Sequence, residues 1–330
     1  MTAMRVIEVT RFGGPEVLEP ASAPVPAAGP GQVVIEVTAV DVLFLDTLIR
    51  SGRAASFFPV RPPYVPGNGV AGRVTSAGDG TDPALLGRRV IARTGEAGGS
   101  GGYAECAMVA GDRVIPVPDQ VDLPDAAALL HDGATALGLA ERTGIGGGEL
   151  VLILGAAGGL GVLLVQLAHA AGARVIAAAR GKAKLDLLSG LGADATVDYG
   201  QAGWTERVVQ AGGGTGPQVV FDGVGGQLGA EAFAITTTGG RFSAHGSPSG
   251  AFALIDPHEA GRRQISVRGI EQAQFRNDEH VRLASSALAK LAAGQLEPYL
   301  GQTFPLAEAA DAHAAVEARA TTGKTLLTVS

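Results

Sequence analysis

Leu150-Val151-Leu152-Ile153-Leu154-Gly155-Ala156-Ala157-Gly158-Gly159-Leu160-Gly161 is the stretch that decides the fold. Five apolar residues without a break, within Glu149–Leu154, read as a strand covered on both faces. A glycine-rich turn follows, and the residues from Gly159 to Ala171 read as a helix. A strand, a glycine turn and a helix in that order are the context a dinucleotide-binding fingerprint requires. Gly158 lets the backbone come close to a pyrophosphate, and Gly161 lets the helix pack against the sheet. The helix start, with Gly159 and Leu160, offers free N–H groups and a positive dipole end to phosphate. Ala156 stands at the first glycine position, so the literal pattern is not met, and a tight turn in another kind of α/β protein stays open. No Asp, Glu, Lys or Arg occurs from Leu150 to Ala173. That length would suit a membrane span, but the glycines in its middle read as a turn between two buried elements, so no span is expected.

Moving outward, the same pattern repeats. Strands are expected at Arg174–Ala179, Ala195–Asp198, Gln218–Asp222 and Arg241–Ala244, with helices at Lys182–Leu191, Trp204–Gln210 and Gln227–Thr236. Strands alternating with helices imply an α/β fold with a doubly wound parallel sheet. The second strand ends in Arg180-Gly181-Lys182-Ala183-Lys184, and no acid appears until Asp186. An NAD enzyme places an acid about 20 residues after the glycines to hold the ribose hydroxyl; cations there suit a 2′-phosphate, so NADPH is expected over NADH. A solvated helix start is the bland alternative.

Upstream, β-branched runs at Val33–Val37, Gly72–Ser76 and Arg89–Ala92, punctuated by prolines, imply a loop-rich β domain. The texture changes near Leu123, where Pro124 can open a helix reaching Thr143. The tail holds two further helices, Asp278–Ala293 and Ala307–Arg319, and a final strand, Lys324–Val329.

Composition removes other classes. The 330 residues hold 50 glycines and one cysteine, Cys106, which excludes a disulfide scaffold and a cysteine-based structural zinc site. A net charge of −7 argues against general nucleic-acid binding. Charges at Arg5, Glu8, Arg11, Glu16 and Glu19 interrupt any apolar leader, so a cytoplasmic protein is expected. The six histidines show no metal-binding spacing, and a lone histidine is more often a helix-face or core residue. Gly-x-Ser-x-Gly is absent, so no hydrolase nucleophile is indicated.

Several further segments carry a family resemblance. They are Phe12-Gly13-Gly14-Pro15-Glu16-Val17-Leu18, Phe44-x-Asp46-Thr47-x-Ile49-Arg50-Ser51-Gly52, Pro66-Gly67-Asn68-Gly69-Val70-Ala71-Gly72, Asp198-Tyr199, Val220–Gly226 and Arg319-x-Thr321-x-Gly323-Lys324. With the glycine loop, they make the chain resemble the zinc-independent quinone oxidoreductase branch of the medium-chain dehydrogenase/reductase superfamily. The resemblance implies a GroES-like β domain (residues 1–122 and 272–330) and a Rossmann domain (123–271), usually as a homodimer. It implies pyrophosphate contacts at Gly158, Gly159, Leu160 and Gly161, with Arg180 and Lys184 at the 2′-phosphate. Tyr199 would lie beside the adenosine, Thr135 near the nicotinamide and its phosphate, and Gly223 and Val224 against the cofactor. The His245-Gly246-Ser247 turn would hold the nicotinamide ring, and Arg319 would reach the cofactor. Asp46 and Arg50 are the catalytic candidates; capping a turn is an equal reading for Asp46. No metal ligands are expected.

Three departures stand out. Gly69 replaces a family glutamate, Leu43 takes the place of an asparagine, and Leu48 that of a tyrosine. The acceptor side should therefore be apolar, suited to a hydrophobic quinone or conjugated enone. An enoyl-thioester or enone reductase of a biosynthetic pathway, or an NADPH-binding protein without catalysis, are the alternatives.

Overall fold

The computed structural model describes residues 3–94 and 101–329. The chain divides into two compact units, Met1–Ala134 with Asn277–Ser330, and Thr135–Arg276. In chain order, the first unit opens with β1 (Ala3–Val9), β2 (Leu18–Pro24), β3 (Gln32–Val42), the short helix α1 (Phe44–Arg50), β4 (Gly69–Ala77), β5 (Arg89–Arg93), β6 (Cys106–Ala110) and β7 (Val114–Pro116). Helix α2 (Leu123–Thr143) runs through the division between the units.

The second unit contains β8 (Leu150–Leu154), α3 (Gly159–Ala170), β9 (Arg174–Ala179), α4 (Lys182–Gly190), β10 (Ala195–Asp198), α5 (Trp204–Ala211), β11 (Val219–Asp222), α6 (Gly226–Ile235), β12 (Arg241–Ala244), α7 (Pro257–Arg262) and β13 (Ser266–Arg268). Its sheet has the order β10-β9-β8-β11-β12-β13, and each neighbouring pair is parallel. Renumbered from β8, this is 3-2-1-4-5-6, the doubly wound order of dinucleotide-binding sheets. β8 and β11 are hydrogen-bonded neighbours on which the order reverses, so the crevice for a ligand opens beyond Leu154 and Asp222. The strands are buried because helices cover both faces of such a sheet; all five residues of β8 are enclosed.

The chain returns to the first unit with α8 (Asn277–Ala292), β14 (Leu300–Pro305), α9 (Ala309–Glu317) and β15 (Lys324–Thr328). The sheet there runs β14-β15-β3-β4-β5-β7, with β6 also on β3. The tail thus completes the first unit, because β15 pairs antiparallel with β3. Sequence pattern places a strand at Tyr103–Val109; the structure starts it at Cys106. It also misses β14, whose residues alternate half-buried and exposed and carry little hydrophobic signal.

Candidate active site

In the second unit the glycine turn joins β8 to α3. Gly155 takes a left-handed φ of +68°, which bends the chain sharply at the end of β8. The Ala156 N–H donates to the Ala178 carbonyl at 3.1 Å, tying the turn to β9. A Cβ on Gly161 would lie 2.5 Å from the Gly155 oxygen and 2.6 Å from backbone atoms of Ala156, so only glycine lets α3 start this close to the strand. Gly158 is the N-cap of α3 with no side-chain cap, and it is exposed. The N–H groups of the first turn have no carbonyl inside the helix to bind. Gly159 and Leu160 are half-buried in that turn.

Beside it, Arg180 follows β9 directly, and its guanidinium lies 5.9 Å from the centre of the Tyr199 ring. Asp198 shapes this corner by accepting from Gly181 N–H at 3.1 Å and Gly200 N–H at 2.8 Å. Partial burial and the Arg180 charge hold the Lys184 ammonium below its ordinary range. Two cations drawn together in this way suit a doubly charged anion. Lys182, counted with them in the sequence, is 87% exposed and pairs with Asp186.

Across the sheet reversal, Asp222 is fully buried and accepts from Val224 N–H at 2.9 Å and Gly225 N–H at 2.8 Å. Burial raises its carboxyl, and those two N–H groups pull the other way. Asp222 therefore fixes the Gly223-Val224 turn, a part the sequence reading did not assign to it. The next turn rests on this one, since a Cβ on Gly246 would lie 2.2 Å from the Gly223 carbonyl carbon. His245 is buried with Nδ1 2.9 Å from the Ser243 hydroxyl, which also accepts from Gln272 at 2.7 Å. Burial drives His245 down to about 4, so it is a neutral ring at neutral pH. Ser247 is half-exposed, and so is Thr135 on α2.

In the first unit, Asp46 lies in the opening turn of α1 and accepts from Leu43 N–H at 2.9 Å. Burial, opposed by that N–H bond, raises its carboxyl to about 7. It lines a small cavity with Ile49, Tyr64, Pro66, Gly67 and Asn68. Among the described residues, the Tyr64 hydroxyl and Asn68 Oδ1 are enclosed without a hydrogen-bond partner. Burial, then the Asp46 charge, pushes the Tyr64 phenol up to about 12, so it stays a donor. Sequence reading missed Tyr64, which carries no motif signal of its own. Arg50 is a buried cation of the same short helix. It is 1% exposed and its guanidinium pairs with Glu317 of α9. Arg319 is exposed just beyond α9 with a left-handed φ of +56°.

A second polar group, also missed, centres on Asp41 of β3. Asp41 on β3 is fully buried and binds His131 Nδ1 at 2.8 Å and Lys324 Nζ at 3.4 Å; Lys324 also meets Asp132 at 3.2 Å. Burial alone would raise Asp41, but His131 and Lys324 bring it to about 2. A charge set between Val40 and Val42 in an apolar strand was the available signal.

Residues 29–119 match the alcohol dehydrogenase GroES-like domain and residues 159–286 the zinc-binding dehydrogenase family. Pig (Sus scrofa) quinone oxidoreductase is 32% identical over 98% of this chain and 97% of its own length. The chain belongs to the quinone oxidoreductase branch of the medium-chain dehydrogenase/reductase superfamily. Within this branch and its kin, a Burkholderia protein named 2-haloacrylate reductase is 31% identical, covering 97% of each chain. Mycobacterial Rv1454c, solved in complex with NADPH, superposes with a TM-score of 0.89 at 32% identity over 98% of this chain and 100% of its own.

The donor set at Gly67-Asn68-Gly69 does not suit zinc, for Asn68 offers an amide where a thiolate or imidazole would be needed. Among the described residues, no three His, Cys, Asp or Glu side chains gather to hold a metal ion, and no helix is long and apolar enough to cross a membrane.

Proposed function

We propose that this chain is a zinc-independent, NADPH-dependent reductase acting on a hydrophobic quinone or conjugated enone. The observation that carries the reading is the Arg180 and Lys184 pair at the end of β9, beside the glycine turn and in place of the acid an NAD enzyme would have. The exposed start of α3 and the Gly223-Val224 and His245-Gly246-Ser247 turns supply the rest of a dinucleotide cradle, with Tyr199, Thr135 and Arg319 in the roles the family implies. Rv1454c, solved in complex with NADPH on the same fold at 32% identity, supports this choice.

Bound NADPH supplies a hydride from its nicotinamide. The chain's own work is to align the acceptor, exclude water and stabilise negative charge on the acceptor oxygen. Without zinc, hydrogen-bond donors must meet that oxygen, and the Tyr64 hydroxyl and the Asn68 amide of the small cavity are suited to it. Leu43, Phe44, Leu45 and Leu48 are all half-buried around α1, which favours an apolar acceptor. The family expectation of a homodimer in the cytoplasm is part of the same reading.

The test is NADPH and NADH oxidation with 1,4-naphthoquinone and a 2-alkenal. The wild type should prefer NADPH. Replacing Arg180 and Lys184 together by Ala should shrink the NADPH/NADH ratio of kcat/KM by about 10²-fold, the effect of two charge-assisted contacts. An unchanged ratio would reject the cofactor assignment, and no turnover with any quinone, enal or enoyl thioester would reject the reductase. The Burkholderia relative's name favours a second acceptor class, a conjugated acid derivative. A rate on crotonyl thioester above that on the quinone would establish it.

A further inference from the structure

We propose that the second unit carries an anion site at the opening ends of β12 and β13, built to bind a hydrogen phosphate group. The site stands apart from the reductase reading. It is a cavity of about 40 Å³ whose walls include Arg142, Thr143, Arg241, Ser266, Arg268 and Gln272. By volume it holds about three waters, the scale of a phosphate group. Arg241 and Ser266 open the parallel strands β12 and β13, where they are register partners. The cofactor crevice lies at the closing ends of the strands, beyond Leu154 and Asp222. The two places are thus at opposite ends of one sheet.

Charge points to an anion. Arg142, Arg241 and Arg268 line the cavity, and no acidic residue does. Arg142 Nη1 donates to the Gln272 carbonyl at 2.7 Å, and Arg268 Nη1 to the Arg142 carbonyl at 3.1 Å. Such bonds hold the guanidinium groups in place, but a neutral carbonyl does not cancel their charge. Arg241 pairs with Glu149. Guanidinium groups gathered on one small space favour an oxyanion among them. Ser266 and Arg268 are exposed, so an ion can enter from solvent at β13.

Hydrogen-bonding capacity narrows the choice of anion. Thr143 Oγ1, Arg241 Nε and Gln272 Oε1 are enclosed without a hydrogen-bond partner among the described residues. Thr143 and Gln272 are only 9% and 3% exposed. Buried polar atoms are rarely left so, and three from the walls of one cavity point to a ligand that completes them. The Gln272 amide cannot be turned around to hide its oxygen. Its Nε2 donates to the Arg268 carbonyl at 3.1 Å and to Ser243 Oγ at 2.7 Å. A carbonyl only accepts, so the nitrogen must face Arg268, and Oε1 is left as an acceptor that needs a donor. Arg241 Nε is a donor that needs an acceptor, and the Thr143 hydroxyl can serve as either. A ligand that meets all three carries anionic oxygens and a hydroxyl proton. Hydrogen phosphate has both, as the free ion or as a phosphomonoester. Sulfate has the same shape but no proton, and a site built to receive a hydroxyl rejects an analogue that lacks one.

The experiment is a calorimetric titration of the full-length chain with inorganic phosphate, sulfate and methyl phosphate at pH 7 and matched ionic strength. The wild type is run beside the double variant Arg180→Ala with Lys184→Ala, in which the cations after β9 can no longer capture phosphate. We expect saturable phosphate binding in the double variant, with a Kd of about 1 mM. Sulfate should bind about tenfold more weakly, the effect of one unmade hydrogen bond. On that background Arg268→Gln should weaken phosphate by about tenfold and Thr143→Val by about threefold, while Arg268→Lys, which keeps the charge, recovers part of the loss. Thermal unfolding checks each variant; where Arg268→Gln does not fold, Thr143→Val, nearly unchanged in shape, carries the test. Methyl phosphate binding as tightly as phosphate would assign a phosphomonoester, and a preference for inorganic phosphate would assign the free ion. Phosphate binding that vanishes in the double variant would overturn the proposal, and so would equal affinity for sulfate. Folded Arg268→Gln and Thr143→Val variants with unchanged phosphate affinity would overturn it as well.

Discussion

At the scale of a residue, Asp46 shows how one carboxyl can look catalytic and still be explained by structure. Its Oδ2 accepts from the Leu43 N–H at the start of α1, and the Tyr103 hydroxyl stands at 3.5 Å. Burial lifts its carboxyl to about 7, the value a proton relay would need. A capping role needs only an acceptor, which an asparagine supplies. Asp46→Asn should thus keep kcat within about threefold and fold normally at pH 8, whereas Asp46→Ala should lose about 1 kcal/mol of stability with the cap. Urea unfolding and steady-state kinetics on both variants decide. A loss of kcat in Asp46→Asn approaching the effect of general acid catalysis, about 10²-fold, would return Asp46 to the chemistry.

At the scale of an element, the β8–turn–α3 unit was legible because its signals are local: an unbroken apolar strand, then glycines at the spacing of the turn. Two of those glycines make opposite predictions. A methyl at Gly161 would strike backbone 2.5 Å away, and backbone cannot swing aside. Gly161→Ala should cost about 1–3 kcal/mol and weaken NADPH binding by displacing α3. At Gly158 the nearest atom to a new Cβ is 3.5 Å away and φ is −82°, so Gly158→Ala should fold as the wild type does. It should still weaken NADPH, because its methyl stands where a phosphate must approach. Thermal unfolding and nucleotide titration separate the two effects; equal melting temperatures for both variants would refute the packing argument. The parts that were not legible are joined over long distances. Asp41 and His131 are 90 positions apart, and Arg50 and Glu317 are 267 apart. No spacing rule links such pairs, and they become visible only when sheet order brings β3, α2, α9 and β15 together. Arg50 had read as a candidate cation because its burial and its partner are both tertiary facts.

At the scale of the whole molecule, the enclosed histidines set an acid limit on the fold. His245 in the second unit is held down at about 4, and His280 and His313 in the first at about 3, burial being the leading cause in each. An unfolded histidine titrates near 6.5, so each of these groups contributes stability that is fully present above that pH and is lost as pH falls toward its folded value. Asp46 works in the opposite direction: raised to about 7, it binds its proton more readily when folded and weakens the fold as pH rises from about 4 to 7. Asp222 and Asp125, raised to a smaller extent, oppose the histidines in the same sense. Asp41, lowered to about 2, adds to the acid loss only below about pH 4. Removing one histidine isolates its share from all of these. His313 lies in the first unit with its Nε2 2.8 Å from the Tyr103 hydroxyl. His313→Gln keeps a polar end near that hydroxyl but cannot take up a proton. The variant should be less stable than the wild type at pH 7.5, and the gap should narrow by about 1.4 kcal/mol per pH unit between pH 6 and 5, one proton's worth. Urea titrations followed by far-ultraviolet circular dichroism at pH 7.5, 6 and 5 measure it. A gap that stays constant with pH would mean that His313 is not held neutral in the folded chain.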